Sequence, residues 1–499
     1  MIQQKTLYEM LSASAHKYGD ETAIICKDTK LSYQDLDDKV RRFSQGLMSQ
    51  GLGPKDKIAI MLSNSPEFII SFFSIARLGA IIVPLNVNFK ENEIEFYVSD
   101  FRVRAIITES SMVPLCKQIM AKSDMETVLI TRSKIEGVQS IGQIVEENHP
   151  IKEEFNIDSE QDVMYQFSSG STGNSKRIAR THYNLVRETE NLTTTVGLNN
   201  KDKVLSVVPL FHTYGLGNCL LAPIYVGGKI VISGEFRPRV VLSLLKKEAI
   251  TYFPAVPFMY GILADTLLER VEDFSSLRLC VSAGAPLPRT IFEKFYDKFH
   301  IFIRQQYGST EMGAVTINID ENIRDSAESV GLPIRSVEVE IFNEDGHKIE
   351  NGDIGEVAVK SPAMTKEYVD SETLTKKCFK NGYFFTGDLG KKDEKGHLYI
   401  TGRKKIFINT ATHKVDPTEI ENHLSTHPKV AEVVIVGVKN KYGDETIKAV
   451  IVPKSDCEEE EIINHCIGKI ADFKLPRIVE FREEIPRSPL GKVLKKYLS

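Results

Sequence analysis

Val163-Met164-Tyr165-Gln166-Phe167-Ser168-Ser169-Gly170-Ser171-Thr172-Gly173-Asn174-Ser175-Lys176 is a short β-rich run that gives way to serine, threonine and glycine and closes on a lysine. Small hydroxyl and glycine residues let a loop bend around phosphate oxygens. Backbone N–H groups and hydroxyls donate, and the Lys176 ammonium adds charge. The same composition also serves a flexible turn. It is not a Walker loop, since GxxxxGK[ST] is absent. Nor is it a GxSxG nucleophile elbow, because no serine is bracketed by glycines at that spacing.

Working outward, residues 57–61, 105–108, 128–131, 204–208, 229–233 and 277–281 are further strand candidates. Helical periods such as 33–50 and 240–248 lie between them. This alternation predicts an α/β fold of mostly parallel sheets. The most apolar stretch, 68–85, is broken by Arg77, Gly79 and Pro84, so it reads as a buried helix running into a buried strand, not a membrane span. The last part of the chain differs. Helix candidates at 417–425 and 459–471 alternate with strand candidates at 431–438 and 446–452, and Tyr442-Gly443-Asp444 reads as the turn between the strands. This is a small α+β unit, with its boundary at Gly402-Arg403-Lys404-Lys405, giving domains 1–402 and 403–499. The acidic run 458–461 reads as a solvated helix start.

Composition sets limits on function. The 499 residues are 42% hydrophobic and 26% charged, as in a globular enzyme of two to four domains. A net charge of -5 argues against a nucleic-acid partner. Cysteines at 26, 116, 219, 280, 378, 457 and 466 form no CxxC and no paired spacing. That suggests neither a disulfide framework nor zinc, and points to the reducing cytoplasm. The first residues lack a basic segment followed by an apolar run, so no signal peptide is expected.

Three more motifs carry chemistry. Gln306-Tyr307-Gly308-Ser309-Thr310-Glu311 follows the β-like run 301–304 and reads as a strand-end loop. Its hydroxyls and carboxylate suit phosphate plus Mg²⁺, a hard ion that takes few protein carboxylates. Tyr383-Phe384-Phe385-Thr386-Gly387-Asp388, followed by Gly402-Arg403, offers a loop aspartate for ribose hydroxyls with an arginine in reach of ribose or phosphate. A structural ion pair would use the same two residues. The tail Pro486-Arg487-Ser488-Pro489-Leu490-Gly491-Lys492 sets a glycine before a lone lysine, where the chain can approach a ligand closely.

In this order the motifs resemble the adenylate-forming family, which includes acyl-CoA synthetases, non-ribosomal adenylation domains and firefly luciferase. The resemblance runs from Leu31-Ser32-Tyr33 to Lys492. It implies a large N-terminal domain of two stacked α/β subdomains and a β-barrel-like third, capped by a small mobile C-terminal α+β domain. It further implies an enzyme that uses ATP and Mg²⁺ to turn a carboxylic acid into an acyl-adenylate and passes the acyl group to CoA. On this resemblance Ser168, Ser169, Gly170, Ser171, Thr172, Gly173 and Lys176 form the phosphate loop. Ala283, Gly284 and Ala285 line the adenine and acyl pockets, and Tyr307 with Gly308 lies beside adenine. Thr310 contacts the α-phosphate, Glu311 the Mg²⁺, and Asp388 and Arg403 the ribose. Lys405 is the hinge residue and Lys492 the catalytic lysine. His212, in Pro209-Leu210-Phe211-His212, resembles the gating aromatic beside the acyl site; a buried structural histidine is the other reading. Amino-acid-activating relatives carry an aspartate at that position, so an aliphatic or aryl acid is expected.

The chain departs from the family pattern in three places. Asn174-Ser175 replaces the usual x-Pro, and Arg177 replaces a common glycine; both leave Lys176 in place. Thr412, in Asn409-Thr410-Ala411-Thr412-His413, stands where many thioester-forming relatives carry glycine along the pantetheine tunnel. A β-branched residue narrows such a tunnel. It therefore keeps open a second acceptor, the phosphopantetheine arm of a carrier protein.

Overall fold

The computed structural model describes residues 5–122, 128–150, 155–168, 176–267, 274–350, 352–369, 371–404, 408–410, 413–439, 445–488 and 493–498. The chain divides into two compact units. The larger is built from the chain up to Thr401. The smaller runs from Gly402 onward and takes in the stretch Gly387–Leu389.

The larger unit carries three sheets among its described residues. The first has nine strands in the order Leu332–Pro333, Gly313–Ile317, Ile303–Ser309, Leu279–Ser282, Tyr252–Ala255, Lys203–Ser206, Lys229–Ile232, Thr22–Cys26, Thr29–Ser32. The run from Ile303–Ser309 through Thr22–Cys26 is parallel, and both edges turn antiparallel. Strands such as Lys57–Met61 and Leu279–Ser282 are short and buried along almost their whole length, as expected of parallel sheets covered on both faces. The second sheet has six strands, in the order Val128–Thr131, Ala105–Thr108, Lys57–Met61, Ile81–Pro84, Asp162–Ser168, Lys176–Thr181. The last pair is antiparallel, with Ser168 opposite Lys176.

Helices Leu7–Tyr18, Tyr33–Ser49, Pro66–Arg77 and His182–Val196 pack on one another, forming the shared layer of the two stacked α/β subdomains. Pro66–Arg77 is buried at every position except Glu67, so it has almost no solvent face. Each of these helices starts on a Ser or Thr whose side chain accepts an N–H of the first turn: Thr6, Ser32, Ser65 and Thr181. The carboxyl ends of the two large sheets are tied together by Asn64. Its amide donates to the Val208 carbonyl at 2.9 Å and accepts from the Leu210 N–H at 2.9 Å. The third sheet, built on Glu338–Phe342, Gly355–Lys360, Phe379–Lys380, Tyr383–Lys392 and Leu398–Arg403, is the barrel-like part.

In the smaller unit a sheet of Val430–Lys439, Glu445–Pro453 and Ile478–Phe481 packs against Pro417–Leu424 and Glu459–Cys466 over a core of Ile420, Leu424, Ile435, Ala449, Ile451 and Ile462. The second helix stops at Cys466, short of the expected 471, because Gly468 takes a left-handed φ of +73°. The acidic run does open this helix, with Glu458 and Glu461 in a capping box. The expected turn at 442–444 lies outside the described residues. Among the described residues no helix is long and apolar enough to cross a membrane.

Candidate active site

The nine-stranded sheet has a topological switch. The connection leaving Lys203–Ser206 goes to Lys229–Ile232 on one side, and the next one crosses to Tyr252–Ala255 on the other. Ligands of open α/β sheets settle at the carboxyl ends beside such a switch. His212 follows the carboxyl end of Lys203–Ser206, and Ala283, Gly284 and Ala285 follow that of Leu279–Ser282. Gly284 has φ +87°, a conformation that favours glycine, which lets the chain turn there. The His212 ring packs on Phe211 at 4.7 Å, and burial pushes its pKa down to about 4, so it is neutral at pH 7. Its Nε2, Ser282 Oγ and Gln306 Oε1 are buried without a hydrogen-bond partner among the described residues. Orphaned polar atoms of this kind mark a place where a ligand or water belongs.

The predicted loop at Gln306–Glu311 is corrected by the structure. Strand Ile303–Ser309 carries on through Tyr307 and Gly308 and pairs antiparallel with Gly313–Ile317, with Ser309 opposite Gly313. Only Thr310, Glu311 and Met312 form the tip. A Cβ on Gly308 would lie 2.2 Å from the Gly313 carbonyl oxygen, so the two strands approach closely there. Glu311 is buried at this tip. Ser309 Oγ donates to its Oε2 at 2.7 Å, and the Tyr368 hydroxyl donates to its Oε1 at 3.0 Å. Lys176 Nζ donates to the same tyrosine oxygen at 3.4 Å and lies 4.9 Å over its ring. Burial, and then the Glu311 charge, raise the Tyr368 pKa far above its ordinary value, so the phenol stays a donor.

This arrangement fits a magnesium ion and a nucleotide. Neutral hydroxyls orient the Glu311 carboxylate, whose oxygens keep lone pairs for a hard cation. Among the described residues no group of three or more His, Cys, Asp or Glu could hold a metal. An ion held mainly by phosphate and water asks for no more than one such carboxylate. Ser168 and Lys176 are cross-strand partners, which brings together the two ends of the loop expected to hold phosphate. Ser169, Gly170, Ser171, Thr172 and Gly173 lie outside the described residues.

The smaller unit joins Asp388 to Arg403. Arg403 Nε donates to Asp388 Oδ1 at 2.6 Å, a charge-assisted bond, and the Lys404 N–H donates to the Gly387 carbonyl at 2.7 Å. Asp388 was expected on a loop but sits within strand Tyr383–Lys392, where Gly387 at φ +75° breaks the strand's regularity just before it. The Asp388 carboxylate is largely buried and the Arg403 guanidinium is half-exposed. Lys405, Thr412 and Lys492 lie outside the described residues.

The sequence reading missed three residues: Tyr368, Arg180 and Glu188. Arg180 is fully buried and donates to Glu188 at 2.7 Å and to the Thr310 carbonyl at 3.1 Å. Strand alternation was the available signal, since Arg180 shares the inward phase with Ile178.

Residues 11–369 match the AMP-binding enzyme family, and residues 419–492 match the AMP-binding enzyme C-terminal domain. The chain belongs to this family. A long-chain-fatty-acid–CoA ligase of Bacillus subtilis (strain 168) is 30% identical over 530 residues, covering 100% of this chain and 94% of that protein. Among solved structures, ATP-bound MatB from Rhodopseudomonas palustris superposes with a TM-score of 0.86 at 26% identity, over 99% of this chain and 98% of that one. A Mycobacterium tuberculosis fatty acyl CoA synthetase does so with a TM-score of 0.81 at 27% identity, over 99% and 97%. The adenylate-forming fold expected from the motifs is therefore the fold of this AMP-binding enzyme.

Proposed function

We propose that this AMP-binding enzyme is an ATP-dependent acid–CoA ligase, which forms an acyl-AMP with release of pyrophosphate and then an acyl-CoA. The observation that carries the reading is the buried Glu311 carboxylate, oriented by Ser309 and Tyr368 with the Lys176 ammonium on the same phenol. A cation and a carboxylate so placed serve opposite parts of a metal–triphosphate complex. Glu311 would hold magnesium, which supplies charge neutralisation to the phosphates. In the first half-reaction a carboxylate oxygen of the acid bonds to the α-phosphorus, and the bond to the bridging oxygen of pyrophosphate breaks. Both reactants are anionic, so the protein contributes position and fixed positive charge. Lys176 and the phosphate loop hold the triphosphate, Thr310 the α-phosphate and Lys492 the developing charge. Tyr307, Gly308 and residues 283–285 bound the adenine, and Asp388 with Arg403 holds the ribose. In the second half-reaction the CoA thiol attacks the acyl carbonyl and AMP leaves. Domain 403–499 acts as the mobile cap, hinged at Lys405.

The acid is aliphatic or aryl rather than an amino acid. A substrate ammonium needs an anionic partner in a buried pocket. His212 is held neutral by burial and supplies none. CoA is the acceptor favoured over a carrier protein, because the relatives are named as CoA ligases. The reading places the enzyme in the cytoplasm, where ATP, magnesium and CoA are at hand and its seven free thiols stay reduced. The test is one incubation with ATP, Mg²⁺ and CoA against a panel of acids, read by mass spectrometry. Acyl-CoA product is expected, and no adenylate or thioester from any acid would overturn the assignment.

A further inference from the structure

The tip bearing Thr310 and Glu311 is gripped from beneath by a buried ion pair. Arg180 lies on the inward side of strand Lys176–Thr181 and is fully buried. Glu188 lies in the second turn of the helix that follows, His182–Val196. One guanidinium nitrogen donates to Glu188 Oε2 at 2.7 Å, and the other donates to the Thr310 carbonyl at 3.1 Å. Glu188 Oε1 accepts the Ala314 N–H at 3.0 Å. The ring is thus closed: Thr310 carbonyl, guanidinium, carboxylate, Ala314 N–H. Its two backbone members flank the tip on either side. Between them Gly313 has φ +68°, and a Cβ there would fall 2.3 Å from the Glu188 carboxyl carbon, so the backbone is seated directly on the carboxylate.

We propose that Arg180 and Glu188 are positioning residues, which set Thr310 and Glu311 for the metal-bound phosphates. This rests on the ligase reading given above. Filling the core does not require such a pair, since well-packed apolar residues of similar volume serve a buried site at least as well as a salt bridge. What the charges add is a directional hold on two named backbone groups. The same strand reaches the tip a second time, because Lys176 meets Glu311 through the Tyr368 hydroxyl. Phosphate-binding lysine and metal-binding carboxylate are therefore spaced by one strand, with Arg180 as the link.

The test compares the full-length enzyme with Arg180→Met/Glu188→Met, which removes both charges and leaves neither unpaired, and with Arg180→Lys, which keeps the charge but loses the fork. Folding is checked by circular dichroism and thermal melting. ATP binding is measured by calorimetry with and without Mg²⁺, and acyl-AMP formation by pyrophosphate exchange. In the double variant, adenylation should fall by about 10²-fold, the penalty expected for misplacing a reacting group by an ångström. The extra ATP affinity conferred by Mg²⁺ should shrink several-fold, while KM for the acid is unchanged. Arg180→Lys should fall between parent and double variant on both readouts, and it decides the matter if the double variant does not fold. Parental turnover and parental Mg²⁺ dependence in a folded variant would overturn the proposal. The parent's product decides the ligase reading separately, because the calorimetric comparison holds whichever acid is used.

Discussion

Replacing Tyr368 by Phe removes one oxygen and leaves the rest of the side chain in place. The ring would keep its packing beside Phe379 and Phe384, at centroid distances of 5.8 and 6.4 Å. The donation to Glu311 Oε1 at 3.0 Å and the acceptance from Lys176 Nζ at 3.4 Å would go. The first is made to a charged carboxylate, and bonds to charged groups contribute roughly 1.5–3 kcal/mol. The second is long and adds little. Losing the hydroxyl frees Glu311 to turn away from the phosphates, so the effect should fall on the step that uses it. Spread over the adenylation barrier, the lost bond corresponds to roughly a ten- to hundredfold drop in kcat/KM for Mg-ATP. Since no apolar area is lost, Tm should move by only about 2 °C. Pyrophosphate exchange across an ATP series at fixed acid reads the kinetic part, and a thermal melt reads the rest. A folded Tyr368→Phe enzyme with parental kcat/KM would refute the idea that this phenol holds the carboxylate in place.

Other expectations follow from the same structure and from the family pattern. Lys492→Ala should lose about 10²- to 10³-fold in adenylation with ATP binding retained, and equal adenylation rates in variant and parent would remove the lysine from the first half-reaction. Lys405→Pro should slow thioester formation more than adenylate formation, as rapid-quench measurement of the two products would show; equal losses would count against a hinge there. His182 is fully buried, its Nδ1 accepts the Leu7 N–H at 3.3 Å, and burial pushes its pKa down to about 4. Between pH 6.5 and 4 the unfolded chain therefore binds the extra proton, so stability rises with pH across that window. The ring's contribution is complete above about pH 6.5, and roughly 3 kcal/mol of it is gone by pH 4. Chemical denaturation of parent and His182→Asn across that range should give a flatter acid limb for the variant, and identical limbs would rule this histidine out as the cause.

The sheets were legible because a strand buried on both faces is a short apolar run, and residues 57–61, 105–108 and 128–131 coincide with strands. The site was legible only where chemistry is local. Lys176 and the hydroxyl–carboxylate set at 309–311 lie within a few residues of their motifs. Polar strands defeated the reading: Gln306-Tyr307-Gly308-Ser309 and Gly387-Asp388 carry little apolar signal, so they read as loops, and it took the hairpin partner Gly313–Ile317 to show the first of them as strand. Tyr368 and the partners of Arg180 were hidden for a different reason. Alternation could show that Arg180 points inward, but each residue acts through others far away in the chain, Lys176 and Glu311 for the tyrosine and Thr310 for the arginine, and nothing in a linear pattern announces such a meeting.

Asn64 has a consequence for engineering by recombination. One carboxamide, at the end of strand Lys57–Met61, holds both the carbonyl of Val208 and the N–H of Leu210, just before His212. The segment leading to His212 is therefore fastened to a residue at the end of a strand in the other large sheet. A chimera that imports residues 203–212 from a relative to change the acid accepted inherits this fastening only if position 64 can still offer both a donor and an acceptor. Crossover points placed between the two large sheets would separate these partners, although both lie in the same domain, whereas exchanging residue 64 together with the 203–212 block moves the fastened segment as one inherited part.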